Sequence, residues 1–163
     1  MSGNVADMIA RFAGLVSVFV LVTACQADDT RNGRDRVPDQ LAAFGVDVIE
    51  INTRPLFVAI ADTRSLRTQG LMNVEDLGTL DGMLFVFSND TSTEFHMEDT
   101  MMPLDIAFFA ADGTLVSVTQ MTPCLGDPCR DYRADGHYRY AFEARQGDLI
   151  DLPVDSVLTI DPP

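Results

Sequence analysis

The chain has 163 residues, enough for one domain of ordinary size with its own hydrophobic core. Hydrophobic residues make up 47% of it. Its formal net charge is −14, because twenty-five acidic residues outnumber eleven arginines and there are no lysines. A surface this acidic repels phosphate backbones and argues against nucleic acid as a partner. It also argues against adhesion to anionic lipid by charge alone, and solubility is the simplest meaning of the acidity.

The N-terminal segment has the pattern of an export signal. Residues 12–24 are apolar and uncharged, yet too few to span a bilayer as a helix, which takes about 20 residues. Arg11 precedes this run and small residues end it, as in secretory signals. The run closes on Val22-Thr23-Ala24-Cys25, which resembles the lipobox of bacterial lipoproteins. We therefore expect residues 1–24 to be a lipoprotein signal peptide and Cys25 to carry the lipid.

The residue after the cysteine indicates a destination. Gln26 stands there instead of Asp, which resembles the outer-membrane sorting pattern of Gram-negative lipoproteins. That resemblance implies a cell-envelope protein held by lipid on the periplasmic face of the outer membrane, where two acyl chains give stable anchoring. A plain cleaved signal and an uncleaved anchor are the alternatives. Residues 1–7 add an acid and no base, which favours Met8 as the true start.

The remainder divides into a linker and a folded domain. Residues 25–45 are rich in charge, Asn, Gly, Pro and Gln, which predicts a flexible tether. Residues 46–163 form the domain, and Asp112-Gly113 within it predicts a hairpin turn. The strand-like runs are Val46–Asn52, Leu56–Ala61, Met83–Ser88, Asp105–Ala110, Leu115–Met121, His137–Ala144 and Ser156–Asp161.

Helical signals are few. Thr63 can cap a short helix that runs to about Met72, with Gly70 near its end. A second helical turn is expected around Asp76–Leu80. Many short strands with one or two short helices predict a mainly β domain, built as a compact barrel or sandwich.

Over most of this domain, one set of segments resembles a known family: FVAIADT (57–63), GLM (70–72), DGMLFVFS (81–88), FHMEDTMMPLDIAFF (95–109), DG (112–113), PCLGDPCRDY (123–132) and YAFEA (140–144). In order and spacing, the chain is similar to the DUF192 family, whose members are small, β-rich, often exported and of unassigned function. The resemblance therefore implies a fold and no activity. Two positions depart from the family pattern, with His96 in place of Trp and Asp99 in place of Asn.

The strand-end loops hold the candidate site. Asp105 opens an otherwise apolar strand, where a carboxylate is costly unless it is hydrogen-bonded. It either accepts backbone N–H bonds and shapes the loop or serves as a binding or acid/base carboxylate beside His96. We predict a ligand-binding site formed by Asp99, Thr100, Asp105, Tyr132 and Glu143.

The two remaining cysteines predict a disulfide. Cys124 and Cys129 flank LGDP, and two near cysteines in an oxidising envelope usually pair. Zinc ligation would need a second Cys or His pair that the chain lacks. A redox-active pair is disfavoured because there is no C-x-x-C.

Metal binding is a further alternative. Strand alternation places His96 opposite Phe95 and Met97, which favours a solvated histidine. The thioethers would suit Cu(I), yet methionine also fills gaps in cores, so we predict neither a metal nor a cofactor. The methionines in question are Met72, Met83, Met97, Met101, Met102 and Met121.

Three functions remain open. The leading hypothesis is an envelope module that binds a small ligand or a partner protein. The second is a hydrolase that acts on envelope glycans or peptides through paired carboxylates. The third is periplasmic copper handling. The sequence has no G-x-S-x-G, P-loop, G-x-G-x-x-G or H-E-x-x-H motif to identify an enzyme class.

Overall fold

The structure is a computed structural model that describes residues 36–126 and 128–160. The predicted signal peptide, the predicted lipidation site Cys25 and the first part of the predicted tether lie outside the described residues. Within the described ranges no helix is long and apolar enough to cross a membrane.

The described chain is built mainly of strands, as the sequence predicts. Two of the strands, Phe95–His96 and Asp131–Tyr132, have only two residues each, and the sequence pattern did not reveal them. One 3₁₀ helix, Asp39–Leu41, precedes the strands. The elements are β1 (Gly45–Ile51), β2 (Arg54–Ala61), α1 (Arg64–Gln69), β3 (Gly82–Thr91), β4 (Phe95–His96), β5 (Leu104–Phe109), β6 (Leu115–Met121), β7 (Asp131–Tyr132), β8 (Tyr138–Arg145) and β9 (Leu158–Ile160).

The main sheet has seven strands in the order β6-β5-β8-β3-β2-β1-β9, and β4 pairs with β7 in a small second sheet. Only the β2–β3 pair is parallel among these, and α1 lies in the connection between the two strands. The sheet curls into a half-barrel whose edges meet at one end through a bridge between Thr114 and Val157. Hydrogen bonds from Leu158 N to Gly113 O (2.8 Å) and from Leu115 N to Ser156 O (3.0 Å) hold that junction.

Turn residues with positive φ form the tight connections. Asn52 and Thr53 join β1 to β2 with φ of 51° and 68°, as a two-residue hairpin turn of the primed type requires. Asn52 also fixes this turn to the end of the chain, because its Oδ1 accepts from Val157 N at 2.9 Å. The predicted Asp112-Gly113 turn joins β5 to β6, with Gly113 at φ 86°.

Both faces of the sheet are buried. Successive residues of a strand point to opposite faces, and the pattern of burial separates two apolar clusters. The cluster inside the half-barrel is Ile49, Ile51, Leu56, Val58, Leu84, Ala107, Phe109, Phe142, Ala144, Leu149 and Leu158. The outer face carries a second cluster that includes Met83, Phe85, Phe95, Met97, Ile106, Phe108, Met121, Tyr132, Tyr138 and Ala141.

The short helix α1 forms where it was predicted, but it ends at Gln69 and not at about Met72. Thr63 caps it by accepting a hydrogen bond from Leu66 N at 3.2 Å, and Gly70 ends it with φ 48°. The second predicted helical turn, around Asp76–Leu80, was wrong. Gly78 has φ 60° there and breaks the helical path, so the segment forms turns instead.

Part of the predicted tether packs on the domain. Leu41 is fully buried and Phe44 is 6% exposed, and both belong to the outer-face cluster. The two apolar residues are few enough to be missed in a polar stretch. Residues 36–45 are thus part of the folded structure.

Candidate functional site

A cavity of about 480 Å³ opens on the outer face of the sheet, between α1, β3 and β4. Its volume falls within the range of about 300–1,000 Å³ that is typical of sites for small molecules. It combines apolar walls with a few polar groups. The lining residues are Arg64, Arg67, Thr68, Gln69, Gly70, Leu71, Met72, Phe85, Phe87, Thr93, Glu94, Phe95, His96, Thr100 and Glu143.

Glu143 lies in the floor of the cavity. It sits on β8 between Met83 of β3 and Ile106 of β5, and its residue is only 5% exposed. No hydrogen bond joins its carboxyl group to any residue that the structure describes. Burial raises the pKa of Glu143 to about 8, because the charged form loses its water. At neutral pH the group is therefore mainly a carboxylic acid that can donate one hydrogen bond and accept others.

Gly82 allows the two central strands to close over the floor. A Cβ on this residue would lie 2.1 Å from the backbone oxygen of Glu143 and 2.6 Å from the ring of Phe142. Only a residue without a side chain fits at that distance. Gly82 therefore sets the position of the backbone that presents Glu143.

Aromatic side chains build the walls. Phe85 and Phe95 meet edge to face with their centroids 5.0 Å apart, and Phe87 meets Tyr138 in the same way at 5.5 Å. Tyr138 also donates its hydroxyl hydrogen to Thr93 O at 2.7 Å. Burial raises the pKa of Tyr138, so this hydroxyl keeps its proton and the bond. The Tyr138 bond thus fixes the chain just before β4.

Two arginines of α1 stand at the mouth. Arg67 is engaged, because its Nη1 donates to Asp62 O at 2.6 Å and to Val86 O at 2.8 Å while its guanidinium lies 4.8 Å from the ring centroid of Phe87. Arg64 is exposed and makes no hydrogen bond or ion pair within residues 36–126 and 128–160. Sequence reasoning missed both residues. Their i, i+3 spacing on one helix face is the signal that could have found them.

The predicted site residues Asp99 and Thr100 take different places. Thr100 is 5% exposed and lines the cavity, with its hydroxyl donating to Glu98 O at 3.3 Å. Asp99 is exposed and does not line it. Asp99 has φ 50°, a conformation that Asp and Asn adopt more readily than most residues. Its backbone oxygen accepts from Asn73 N at 2.8 Å, so the position acts through the backbone.

Asp105 lies apart from the cavity. It is fully buried on the inner face of the sheet, and its Oδ2 accepts from Gly147 N at 2.8 Å and from Leu149 N at 3.1 Å. Its Oδ1 has no hydrogen-bond partner among the described residues. This is the loop-shaping arrangement that the sequence analysis gave as one of two interpretations.

Tyr132 and the cysteines support the loops beside the cavity. Tyr132 is 4% exposed, and its hydroxyl oxygen accepts from Thr122 N at 3.0 Å. Cys124 and Cys129 form a disulfide with an S–S distance of 2.10 Å. Backbone bonds join Cys124 to the cavity loop, from Cys124 N to Met97 O at 3.2 Å and from Asp99 N to Cys124 O at 3.1 Å. Neither Tyr132 nor the disulfide lines the cavity itself.

The residues proposed as copper ligands do not all lie together in the described structure. His96 is exposed at the cavity rim, with its Nδ1 3.9 Å from a carboxylate oxygen of Glu98. Met83, Met97 and Met121 are instead buried in the outer-face core. Within the described part of the chain, no three residues among His, Cys, Asp and Glu form a group that could hold a metal ion.

The curled sheet, covered on both faces, and the cavity lined by the buried Glu143 define a small, mainly β domain with a site of ligand size. The model of the DUF192 family, described as an uncharacterized ACR, matches residues 47–158. The chain belongs to this family. No curated protein matches it.

Two solved structures share the fold. A candidate transcription regulator from Sinorhizobium meliloti 1021 is 25% identical, with a TM-score of 0.61 over 71% of this chain and 93% of that one. A protein of unknown function from Novosphingobium aromaticivorans DSM 12444 is 19% identical, with a TM-score of 0.65 over 77% of this chain and 91% of that one. Neither likeness assigns an activity to the present cavity.

Proposed function

We propose that this domain is a binding module that takes a small ligand into the cavity beneath α1. The observation that carries the proposal is Glu143, a buried carboxyl group without a hydrogen-bond partner in the described structure that faces a cavity of about 480 Å³. Burying a polar group without a partner costs free energy, and most folded proteins avoid it. A ligand that satisfies the carboxyl group recovers that cost.

Catalysis by the paired carboxylates has less support. A hydrolase of the predicted kind needs its acid and its base in one cleft. Glu143 lines the cavity, whereas Asp99 and Asp105 do not, and Asp105 lies on the opposite face of the sheet. A binding role needs only the one acid.

Nucleic acid is a poor candidate for the ligand. One similar structure carries the description of a transcription regulator, but the net charge of the present chain is −14. Lysine and arginine contacts to phosphate supply most of the affinity of proteins for nucleic acid. A chain with eleven basic and twenty-five acidic residues has little of that affinity to offer.

The lipid anchor remains part of the proposal. The sequence of residues 12–25 supports export and acylation of Cys25, and this segment would hold the binding domain at the periplasmic face of the outer membrane. Mass spectrometry of protein from the native envelope is expected to find acyl groups on Cys25. The Cys25→Ala variant is expected to leave the membrane fraction. Recovery of an intact, unacylated precursor from the cytosol would contradict the anchor.

The cavity is tested with ligand screens on two matched variants. Thermal-shift and calorimetric screens of metabolites, sugars and peptidoglycan fragments are expected to find a compound that binds the wild type and fails to bind Glu143→Gln. Glu50→Gln is the control, because it removes the same charge from an exposed residue of β1. A compound bound equally by all three proteins, or no bound compound at all, contradicts the proposed site.

A further inference from the structure

The residues that line the cavity also indicate which class of small molecule would bind there. We infer that it binds a small zwitterion, with an ammonium group on Glu143 and a carboxylate on Arg64. This inference rests on the proposed binding function and specifies the ligand class for it. Three features of the cavity carry it: the acid in the floor, the aromatic walls and the free guanidinium at the mouth.

The floor favours a cation. An ammonium group that reaches the Glu143 carboxylate forms a charge-assisted hydrogen bond, which is stronger and shorter than a bond between neutral groups. A buried carboxylate is costly alone and becomes favourable only when a partner of opposite charge is in contact. The protein provides no such partner, since the described residues leave the Glu143 carboxyl without any hydrogen bond. The ligand can supply it.

The walls favour the same group. Phe85, Phe87 and Phe95 all line the cavity. A cation near the face of an aromatic ring is attracted by the ring's negative face, most strongly where water is excluded. Arg67 already lies over Phe87 at 4.8 Å, and Phe85 and Phe95 meet edge to face with their centroids 5.0 Å apart. A ligand can therefore contact only those parts of the Phe85 and Phe95 rings that line the cavity.

The mouth favours an anion. Arg64 lines the cavity and makes no ion pair within the described ranges. A guanidinium group offers paired N–H donors that match a carboxylate. Glu143, which becomes an anion when an ammonium group binds it, and the cationic Arg64 lie at the floor and at the mouth of one cavity. A ligand with an amine at one end and a carboxylate at the other satisfies both.

Two of the other charged residues near Glu143, Arg145 and Glu94, already have partners. On the same face of β8, Arg145 donates to Leu80 O at 3.0 Å and to Asp76 Oδ1 at 3.2 Å. Glu94 is paired with Arg133 at the rim. The remaining neighbours are Arg64 and Arg67 on α1 and His96 on β4, while the parts of β3 and β5 beside Glu143 carry no charge on this face.

Titration gives the inference a distinct signature. The pKa of Glu143 is raised to about 8 in the free protein, so the group is mainly protonated at pH 7. An ammonium ligand binds the carboxylate and therefore releases about 0.9 proton per molecule bound at that pH. As the pH increases toward 8, the affinity for the ammonium ligand increases by up to about tenfold per pH unit, and it levels off above pH 8. A neutral sugar or amide releases no proton.

The test is calorimetry of the wild-type domain in buffers of different ionisation enthalpy. The probes are the amino acids glycine, β-alanine, γ-aminobutyrate and δ-aminovalerate. Butylamine carries only the ammonium group and butyrate only the carboxylate, so these two serve as the half-ligands, and inositol is the neutral control. One member of the amino acid series is expected to bind more tightly than either half and to release a proton. Glu143→Gln is expected to abolish both binding and release. Arg64→Gln is expected to weaken that ligand by roughly 10–100-fold, to the level of the plain amine, whereas Arg54→Gln, the exposed control, leaves it unchanged.

The other outcomes separate the two claims. Binding of inositol or butyrate that depends on Glu143 and releases no proton overturns the zwitterion and keeps the binding cavity. An amino acid that binds Glu143→Gln as tightly as wild type also overturns it. Failure of these probes and of the wider metabolite screen overturns the proposed function as well.

Discussion

Asp105 and Glu143, the two buried carboxyl groups among the described residues, lie on neighbouring strands but differ in the hydrogen bonds they receive. Asp105 of β5 faces the inside of the half-barrel, where Gly147 N and Leu149 N donate hydrogen bonds to it. Glu143 of β8 faces the cavity on the other side, and no described residue bonds to its carboxyl group. The register of β5 and β8 pairs Asp105 with Ala144 and Ile106 with Glu143, so the two acids are one step apart across the ladder.

The difference separates a structural acid from a candidate binding acid. Both side chains carry the cost of leaving water. The fold gives Oδ2 of Asp105 two backbone donors, although Oδ1 has none among the described residues. Neither oxygen of the Glu143 carboxyl group has a described partner, and this group lines an open cavity. A polar group that the fold leaves unsatisfied beside a cavity is a functional candidate with a physical reason.

The largest expected effect comes from removing the structural acid. Asp105→Ala leaves the N–H groups of Gly147 and Leu149 without an acceptor, so we expect a loss of about 3–4 kcal/mol in the free energy of unfolding. Asp105→Asn keeps one acceptor oxygen and should lose less. Urea denaturation measures both. Wild-type stability in Asp105→Ala, or a loss of cavity binding in a folded Asp105→Asn, would break the comparison.

The candidate binding acid should behave in the opposite way. The pKa of Glu143 rises from 4.5 to about 8 on folding, so the native state holds a proton that the unfolded chain has released. Wild-type stability therefore falls as the pH rises from about 4.5 to 8, by up to about 1.4 kcal/mol per pH unit. Glu143→Gln lacks this fall and should be more stable at pH 7 by about 2–3 kcal/mol.

Denaturation of both proteins at several pH values tests this sign, with Glu50→Gln as the control. Parallel pH profiles for wild type and Glu143→Gln would show that Glu143 titrates normally. A stabilised Glu143→Gln that has also lost its ligand would sharpen the contrast with Asp105. A gain in stability together with a loss of ligand binding is expected when the replaced residue binds the ligand at a cost in folding free energy.

The disulfide tests how the cavity side is supported. Cys124→Ala with Cys129→Ala should lower the free energy of unfolding by about 2 kcal/mol, since the bridge closes only a short loop. The backbone bonds of Cys124 to Met97 and Asp99 should loosen with it. Reductant should reproduce the effect in wild type and leave the double variant unchanged. Equal stability of all samples would show that the bridge adds nothing to this loop.

The smallest expected effect belongs to the cavity wall. Tyr138→Phe keeps the ring and removes only the hydrogen bond to Thr93 O, so we expect a loss of about 1 kcal/mol. Tyr140→Phe is the matched control on the same strand, because no described residue hydrogen-bonds the Tyr140 hydroxyl. Thermal melts compare the two variants. An equal loss in both would contradict a specific role for the Thr93 bond.

Much of the fold follows from local patterns in the sequence. Short runs rich in β-branched and aromatic residues marked seven of the strands, Asp112-Gly113 marked a hairpin and Thr63 marked the start of α1. The two-residue strands β4 and β7 carry too little pattern to be seen. Gly78 prevents the expected helical turn at Asp76–Leu80, because its φ is 60°. A residue far along the chain contacts this position, since Arg145 Nη2 donates to Gly78 O at 3.3 Å.

The candidate site is predicted less completely, for a topological reason. The sequence marked Thr100 and Glu143, which line the cavity, but grouped them with Asp105, which lies behind the sheet. Which face a strand residue points to depends on register, and register is set by partners far along the chain. Arg64 and the phenylalanines of β3 come to Glu143 only through the crossover from β2 to β3. No short stretch of sequence therefore predicts that Arg64 and these phenylalanines lie close to Glu143.

The close contact at Gly82 constrains how this domain can diversify. The rings and arginines around the cavity are side chains that substitution can exchange, so relatives can acquire new ligands by changing them. The backbone beneath them has no such freedom, since any bulk at position 82 would wedge the two central strands apart at Glu143. Directed evolution of new binders from this scaffold should randomise the walls and hold that one glycine fixed.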